Sequence, residues 1–574
     1  MRKHVAVAVL ALVAGLSMLP AHADDTVRQQ LTAADLMAGT STGPAPMDAF
    51  APPATPVAPM RSFEGHLTLD APAFTAFTVL KNQFNLRIDS TMKSMPPVDV
   101  DLVQDGTALI PVRRGPFLGA HRDWELLLEP GSVWQEAGDN GLTRASLPFA
   151  LREVGANCLH NGVLSFVFGD NGAISHVAYQ ISSETCAYFK FDASGIAAAH
   201  FTPATLATAD ATKTAYRAEV AARLPVRPLS DLIAAHPTLA ESGFALAPTP
   251  DHDPPTLYGA VIDGVNYVGG CETRAGRYPY CDVLDLPSYS TAKTVFAAVG
   301  LMRLEKLWPG ARTALIADYV PECATPDWAG VTFENVLNMT SGVFGDRGYE
   351  VDEGSSATDN FFNSDDHAGK IRFACRHYKR RAEPGTVWVY RTSDTYVLGT
   401  AMQAFVHRHL NADADLYRDI DLAQLWHPMT LSPALDGTLR TYDSVAQPFA
   451  GYGLTYHRDD IARIASFLAS GATRNNEPML DSAMLSRVLQ RGTSEHGLSA
   501  GYPHLTYLDG VWVRDAAPNL GCATSAFIPF MSGYGGISVV LLPDGSVFYY
   551  FGDSEIWDWT PAAKEIAKIK PLCR

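Results

Sequence analysis

A serine and a lysine stand three residues apart in the stretch Ser290-Thr-Ala-Lys293. A serine hydroxyl is a poor nucleophile at neutral pH and needs a partner that takes its proton. On a helix, a residue three positions later lies on the same face, one turn along. An enclosed lysine amine gives up its own proton more readily than an exposed one. The spacing therefore predicts a nucleophile and a base for acyl transfer.

The bare spacing has a second interpretation, because it also arises by chance in a chain of 574 residues. In that interpretation Ser290 caps the N-terminus of a helix and Lys293 is solvated behind it. The choice between the two rests on the rest of the chain, which must form the elements that position these groups.

Size and charge narrow the class of protein. A chain of 574 residues is too long for one ordinary core, so two domains are expected. A hydrophobic content of 47% and a charged content of 18% fit a globular protein. The formal net charge of −17 argues against nucleic acid and against anionic lipid as partners.

The first residues have the pattern of a signal peptide. A basic start, Met1 to His4, precedes the short apolar stretch from Val5 to Leu19, and Ala21-His-Ala23 is typical of a cleavage site. We expect cleavage after Ala23 and a periplasmic or secreted protein. An uncleaved anchor is the alternative, but the stretch is short for crossing a bilayer, and no later stretch is suitable.

Eight cysteines follow the signal sequence, and an even number in an exported chain favours disulfides. Sequence does not fix their connectivity. Pairing of near neighbours predicts four bonds: Cys158–Cys186, Cys271–Cys281, Cys323–Cys375 and Cys522–Cys573.

The pattern along the chain predicts three parts after the signal peptide of residues 1–23. Residues 24–62 are rich in proline and alanine and indicate an extended, poorly folded linker. Residues 63–210 contain short Val-, Phe- and Leu-rich runs between turn residues, which predicts a β-rich accessory domain, a sandwich. Residues 225–574 alternate helical and strand patterns, as in an α+β domain.

Four segments in order resemble the serine β-lactamase and penicillin-binding-protein superfamily. The nearest groups are class C β-lactamases, D-stereospecific esterases and peptidases, and 6-aminohexanoate-oligomer hydrolases. The segments are Ser290-Thr-Ala-Lys293, Val331 to Val343 with its Thr-Ser-Gly turn, Pro384 to Gly399, and Phe530 to Gly536. The resemblance covers roughly residues 225–574. It implies a β-lactamase/transpeptidase-like fold, an antiparallel sheet flanked by helices with a helical subdomain.

The same resemblance implies a catalytic set of Ser290, Lys293 and Tyr390. Tyr390 comes just before a helix that Ser393 or Asp394 could cap. The helix dipole and a nearby ammonium would favour tyrosinate, and Tyr390 could relay a proton to the leaving group. Whether Lys293 or Tyr390 is the base stays open.

The resemblance also implies an oxyanion hole made by the backbone N–H groups of Ser290 and Tyr534. It places Thr392, Ser532 and Gly533 at the substrate. It implies no cofactor, and since none of the 17 histidines forms a His-Glu-x-x-His or comparable pair, we expect no catalytic metal.

Two departures from the family pattern bear on the substrate. Thr392 stands where β-lactamases often have asparagine, and Met531 stands where the last strand usually has a cation. Methionine cannot hold the carboxylate of a penicillin, so the pattern favours a small-molecule or peptide-like amide or ester. The sequence thus predicts an exported serine hydrolase that forms an acyl-enzyme on Ser290. The alternatives are a cell-wall D-peptidase or β-lactamase, and a non-catalytic sensor or binding protein of the same fold.

An acidic segment between residues 350 and 366 offers a further alternative. Its carboxylates, among them Glu350, Asp352 and Glu353, could bind calcium, but their spacing is not that of an EF-hand. A solvated loop is the favoured interpretation. The sequence leaves the oligomeric state open.

Overall fold

The computed structural model describes residues 31–40, 43–246 and 254–573. The predicted signal peptide lies outside the described residues. Four disulfides join the eight cysteines in the predicted pairs, with Cα–Cα distances of 4.9 Å for Cys158–Cys186, 6.0 Å for Cys271–Cys281, 4.8 Å for Cys323–Cys375 and 5.4 Å for Cys522–Cys573. Over the described ranges, no helix is both long and apolar enough to span a membrane.

The N-terminal region is β-rich, as predicted. Its strands are β1 Glu64–Leu69, β2 Ala76–Asn82, β3 Val98–Asp105, β4 Ala108–Pro111, β5 Trp124–Leu128, β6 Gly131–Trp134, β7 Thr143–Glu153, β8 Leu159–Phe168, β9 Val177–Thr185, β10 Phe189–Ala197 and β11 His200–Pro203. They form one 11-stranded sheet in the order β11-β1-β3-β4-β6-β7-β8-β9-β10-β2, with β5 paired to β7. All the pairings are antiparallel.

A single sheet differs from the two sheets that a sandwich requires. Side chains from strands near both ends of the sheet, such as Leu67 and Phe191, belong to one core. The alternation that predicted the strands is local, whereas the order in which strands pair is not. Strand β8 is buried along its whole length, because Val163 and Val167 on its other face belong to a core that extends into the second region.

The segment predicted as a poorly folded linker is packed only in its first part, whereas residues 51–62 are largely exposed and form no helix or strand. Helix α1 (Ala33–Ala38) and a 3₁₀ turn (Met47–Phe50) bury Leu36, Met47 and Phe50 in the core shared with the second region. The Gln180 side chain bonds both the N–H and the carbonyl of Ala45. Proline content indicates extended backbone, but it does not prevent apolar side chains between the prolines from docking. The domain boundaries stay predictions.

The second region is built on a nine-stranded sheet with the order β12-β14-β13-β28-β27-β26-β25-β24-β23. Its remaining strands form two-stranded pairs. The strands are β12 Val226–Pro228, β13 Leu257–Ile262, β14 Val265–Gly270, β15 Glu272–Thr273, β16 Gly276–Arg277, β17 Leu286–Pro287, β18 Val343–Phe344, β19 Lys379–Arg380, β20 Thr455–Tyr456, β21 Thr473–Arg474, β22 Glu477–Pro478, β23 Leu498–Ser499, β24 Leu505–Leu508, β25 Val511–Asp515, β26 Phe527–Gly533, β27 Ile537–Leu541 and β28 Val547–Phe551.

Helices pack on both faces of this sheet and beside it. The helices that follow the N-terminal sheet are α2 Ala209–Ala222, α3 Leu229–Ala235, α4 Glu241–Phe244, α5 Val299–Leu307, α6 Ile316–Tyr319, α7 Phe333–Leu337, α8 Asp359–Phe362, α9 His367–Arg376, α10 Thr392–His409, α11 Arg458–Ala469, α12 Ser482–Val488, α13 Ala517–Leu520 and α14 Thr560–Ala567, with π-helical turns at Lys293–Ala298 and Leu416–Trp426. Further 3₁₀ turns lie at Ala137–Asp139, Asp170–Gly172, Cys281–Val283, Tyr289–Thr291, Ala311–Thr313, Pro321–Cys323, Pro326–Trp328, His427–Met429 and Pro433–Asp436.

The alternation of side chains along the strands divides the core between the two faces. Val547 and Tyr549 of β28 pack with α5 and α11, whereas Phe548 and Tyr550 pack with α3 and α14. The mixed helices and antiparallel sheet agree with the predicted α+β fold. The face of α5 and α11 is the one that carries the Ser-x-x-Lys turn.

Candidate active site

Ser290 and Lys293 lie where the chain enters the helix α5. Ser290 is in the 3₁₀ turn Tyr289–Thr291, and Lys293 begins the π-helical turn that runs into α5. The spacing places Lys293 Nζ 2.9 Å from Ser290 Oγ. Ser290 is half-buried, whereas Lys293 is only 2% exposed. The solvated lysine of the alternative interpretation is therefore wrong.

Lys293 is enclosed by polar atoms of the protein. Its Nζ also lies 2.9 Å from Thr392 Oγ1 and 3.3 Å from the carbonyl oxygen of Gly451. Burial disfavours the ammonium and lowers the pKa of Lys293 to about 8, against the opposing pull of the Glu353 and Glu350 carboxylates. The amine can thus take a proton from Ser290 near neutral pH.

Tyr390 joins the pair from the loop before α10. Lys293 Nζ lies 5.0 Å from the centroid of the Tyr390 ring, and that ring stacks on Trp512 at 5.6 Å. Burial raises the pKa of Tyr390 well above its ordinary value, although a hydrogen bond to Ser290 opposes the rise. Burial thus opposes the expected tyrosinate, and the protonation state of Tyr390 stays a prediction.

Helix α10 is capped by a residue that the sequence did not single out for this position. The Glu353 carboxylate accepts from the Thr392 N–H at 2.7 Å and from the Thr392 hydroxyl at 2.5 Å. Ser393 and Asp394, the expected caps, lie inside the first turn of the helix and are buried. Thr392 therefore bridges Lys293 and Glu353, and a chain of hydrogen bonds runs from Ser290 to this carboxylate.

The acidic segment is thus not a simple solvated loop. Asp352 is buried and accepts from the N–H groups of Gly345 and Asp346, both at 2.8 Å. Glu353 is half-buried beside Thr392. The acidic composition alone suggested solvation, because composition does not show which backbone N–H groups the carboxylates bond. Those of Gly345 and Asp346 depend on the path of the loop, and that of Thr392 is remote in the chain.

The end of β26 forms the other side of the nucleophile turn. Gly533 ends the strand, and a Cβ added there would lie 3.1 Å from the carbonyl oxygen of Ser288. The next residue, Tyr534, is 39% exposed, and its ring lies 5.7 Å from that of Tyr289. The glycine permits this close approach. The oxyanion hole of Ser290 and Tyr534 stays a prediction.

The two remaining predicted substrate residues flank that position. Met531 is buried in the core, so the strand presents no cation there. Ser532 is half-buried and pairs with Ser538 of β27. Thr392 uses its hydroxyl between Lys293 and Glu353, as described above. Contact of Thr392, Ser532 or Gly533 with a substrate stays a prediction.

Two groups among the described residues have metal-ligand geometry. Cys158 and Cys186, near His160, are joined in a disulfide and cannot ligate as thiolates. In the second, buried His457 Nε2 lies 3.4 Å from Glu129 and 3.7 Å from Asp285.

Arg114 donates twice to the same Glu129 oxygen, at 2.6 and 2.9 Å. That arrangement suits an ion-pair network better than a metal site. The expectation of no catalytic metal stays a prediction.

Asn157 of the N-terminal region also reaches this site, and the sequence gave no reason to select it. It is buried and bonds to the turn that carries Ser290. Its one local signal is the neighbouring Cys158, which the predicted disulfide ties down.

Residues 286–405 match the Beta-lactamase family model. This segment holds Ser290, Lys293 and Tyr390, so the match confirms the resemblance to the serine β-lactamase and penicillin-binding-protein superfamily and supports a serine hydrolase. No curated protein matches the chain.

Several solved structures are partly similar. A penicillin-binding protein homolog from Caulobacter crescentus has a TM-score of 0.40 and 17% identity over 55% of this chain and 91% of its own. EstCE1, a hydrolase with promiscuous acyltransferase activity, has a TM-score of 0.42 and 14% identity over 62% and 98%. A D-stereospecific amidohydrolase from Streptomyces sp. has a TM-score of 0.37 and 14% identity over 54% and 92%. Similarities this distant do not assign an activity.

Proposed function

We propose that this chain, a serine hydrolase whose residues 286–405 match the Beta-lactamase family model, cleaves an amide or ester bond through an acyl-enzyme on Ser290. The observation that carries the proposal is the 2.9 Å distance from Lys293 Nζ to Ser290 Oγ in a buried setting that lowers the pKa of the lysine to about 8. A hydroxyl beside a buried, deprotonable amine is an activated nucleophile.

Acylation would begin with the neutral Lys293 amine. It accepts the Ser290 proton while Oγ forms a bond to the substrate carbonyl carbon, and the carbonyl oxygen becomes an oxyanion. The N–H groups of Ser290 and Tyr534 would stabilise that charge. The intermediate then collapses, the bond to the leaving group breaks, and the leaving group takes a proton.

Tyr390 would deliver that proton. Its phenol stays protonated because burial raises its pKa well above the ordinary value, and Lys293 Nζ lies near its ring. The phenol donates to the leaving group and regains a proton from the Lys293 ammonium. This favours Lys293 as the base and Tyr390 as the relay. Water then attacks the acyl-enzyme, with Lys293 again accepting the proton.

The charges around the site favour neutral or cationic substrates over carboxylates. The charged groups that act on Lys293 are the carboxylates of Glu353 and Glu350, and the buried Met531 supplies no cation. A p-nitrophenyl ester should therefore be turned over better than a penicillin. The reverse preference would favour the cell-wall D-peptidase or β-lactamase alternative.

A fluorophosphonate probe tests the proposal. The wild-type protein should bind one probe molecule per chain, and the Ser290→Ala variant none. A wild-type protein that binds ligands but is never labelled would instead support a non-catalytic sensor or binding protein.

Replacement of Glu353 should move the pH dependence of the reaction. The base must be neutral, so kcat/KM is expected to rise with pH as the Lys293 ammonium loses its proton near pH 8. The Glu353 carboxylate stabilises that ammonium, so Glu353→Gln lowers the pKa of Lys293. The rising limb should shift by about 0.5 to 1 unit to lower pH.

Glu477→Gln, an exposed substitution on β22, is the matched control and should leave the limb in place. A limb that is unmoved or moves to higher pH in Glu353→Gln would contradict the assignment of Lys293 as the base.

We also propose export through the predicted signal peptide. Four disulfides suit an oxidising compartment. N-terminal sequencing of the mature protein should begin at Asp24. A mature chain that retains Met1 would support the uncleaved anchor instead.

A further inference from the structure

Asn157 lies in the short connection between β7 and β8, and every hydrogen-bonding atom of its side-chain amide is directed at the Ser290 neighbourhood. Its Oδ1 accepts from the Tyr289 N–H at 2.7 Å and from the Ser288 hydroxyl at 3.0 Å. The same oxygen accepts from the Gly453 N–H at 3.1 Å, and Nδ2 donates to the Leu454 carbonyl at 3.2 Å. The residue is 1% exposed.

The first of these bonds holds an unfavourable backbone. Tyr289, which directly precedes the nucleophile, has a φ of 38°. A residue with a Cβ adopts such a conformation only where its surroundings impose it, and such residues cluster at functional sites. The Asn157 carboxamide is the acceptor that fixes the N–H of this residue. The hydrogen bond from Tyr289 to Asn157 therefore constrains the path of the backbone into Ser290.

The other bonds fix the segment that touches the base. Ser288 and Leu454 are joined by two hydrogen bonds. The Ser288 N–H donates to the Leu454 carbonyl, and the Leu454 N–H donates to the Ser288 hydroxyl, both at 3.0 Å. Three residues before Leu454, the carbonyl of Gly451 contacts Lys293 Nζ at 3.3 Å. One amide thus holds both the turn that carries the nucleophile and the loop that contacts the lysine.

The connection that carries Asn157 is itself anchored. The neighbouring Cys158 is bonded to Cys186, and the Cys186 N–H donates to the Asp553 carboxylate at 3.2 Å, just beyond β28. Arg152, on the other side of the connection, donates to the Gly453 carbonyl at 3.2 Å. A rigid support of this kind can hold a catalytic group in place.

From these contacts we infer that Asn157 is a positioning residue for Ser290, and that the β-rich N-terminal region is a working part of the catalytic site. The inference rests on the proposed acyl-enzyme function. Its expected effect is on the chemical step, because a displacement of about 1 Å in a reacting group can reduce the rate about 100-fold.

The test compares Asn157→Ala with a matched variant of the same region. Asn161 is also a buried asparagine that bonds to the backbone ahead of the nucleophile, at Asp285 N (3.1 Å) and Asp285 O (2.9 Å). With a p-nitrophenyl ester, Asn157→Ala should lower kcat about 10- to 100-fold and leave KM within about threefold. Asn161→Ala should change kcat by less than about twofold, with both thermal midpoints measured alongside.

Asn157→Asp provides a second test, including the case in which the alanine variant does not fold. The aspartate keeps an acceptor for Tyr289, Ser288 and Gly453 and loses the donation to Leu454. Its kcat should stay within about fivefold of wild type. A folded aspartate variant with a loss above tenfold would overturn the inference.

The inference would also be overturned if Asn157→Ala kept its kcat, or if Asn161→Ala lost as much. Labelling with a fluorophosphonate separates these outcomes from failure of the proposed function. If the wild-type protein is not labelled, the proposed function is refuted. If the wild-type protein and the Asn157→Ala variant are labelled at equal rates, only the role of Asn157 is refuted.

Discussion

Ser290→Ala should reduce hydrolysis of a p-nitrophenyl ester by at least about 10⁴-fold, because the variant has no hydroxyl to form the acyl-enzyme. Lys293 would remain within the site but would have no Ser290 proton to accept. The measurement is kcat/KM at a pH above 8, where the amine of the wild-type protein is neutral.

Ser499→Ala is the matched control, since Ser499 is an exposed serine on the edge strand β23. It should retain wild-type kcat/KM. A Ser290→Ala variant within tenfold of wild type would contradict the assignment of the nucleophile.

Lys293→Met should lower kcat/KM by about 10²- to 10⁴-fold, the usual contribution of a general base. Methionine has a similar length and cannot accept a proton. The residual rate should lose the rise with pH near 8, since that rise reports the lysine. The shape of the pH profile thus distinguishes loss of the base from damage to the site.

The same substitution is expected to leave the thermal midpoint unchanged or raise it at pH 7. Burial lowers the pKa of Lys293, so the folded protein holds its ammonium less favourably than the unfolded chain does. That penalty is present below pH 8 and disappears as the pH rises through the unfolded-state pKa. Methionine removes this penalty.

An active Lys293→Met variant with an unchanged pH profile of kcat/KM would exclude lysine as the base.

The parts of the site that follow from local periodicity could be predicted from the sequence. The helical spacing predicted that Ser290 and Lys293 lie on one face, the other segments of the chain favoured the catalytic interpretation, and the structure puts their side-chain atoms 2.9 Å apart. The pairing of neighbouring cysteines along the chain was also confirmed for all four disulfides, although the sequence did not fix their connectivity. Tyr390 required a family resemblance, since it is a hundred residues from the pair.

The contacts that the sequence did not predict are non-local. Glu353 belongs to a segment whose composition indicated solvation, yet its carboxylate meets the N-terminus of α10 and bonds Thr392. Asn157 belongs to a different region of the chain, and nothing about a lone asparagine distinguishes it. The order of the strands in the N-terminal sheet could not be predicted either. The sequence pattern shows which side chains alternate between the two faces of a strand, but it does not show which strands pair.

The non-local contacts change the view of the N-terminal region. The sequence predicted a β-rich accessory domain there and gave no reason to select any of its residues for the site. Asn157 and Arg152 instead bond to the loop and turn that hold Lys293 and Ser290. The hydrolase region is thus expected to need this sheet for full activity as well as for stability.

The central claim is that Ser290 becomes covalently acylated. The most direct measurement is mass spectrometry of the protein mixed with a slowly hydrolysed ester and quenched with acid. The account predicts one added acyl group per chain, located on the peptide that contains Ser290, and none on the Ser290→Ala variant. An adduct on any other residue, or full turnover with no adduct on Ser290, would contradict it.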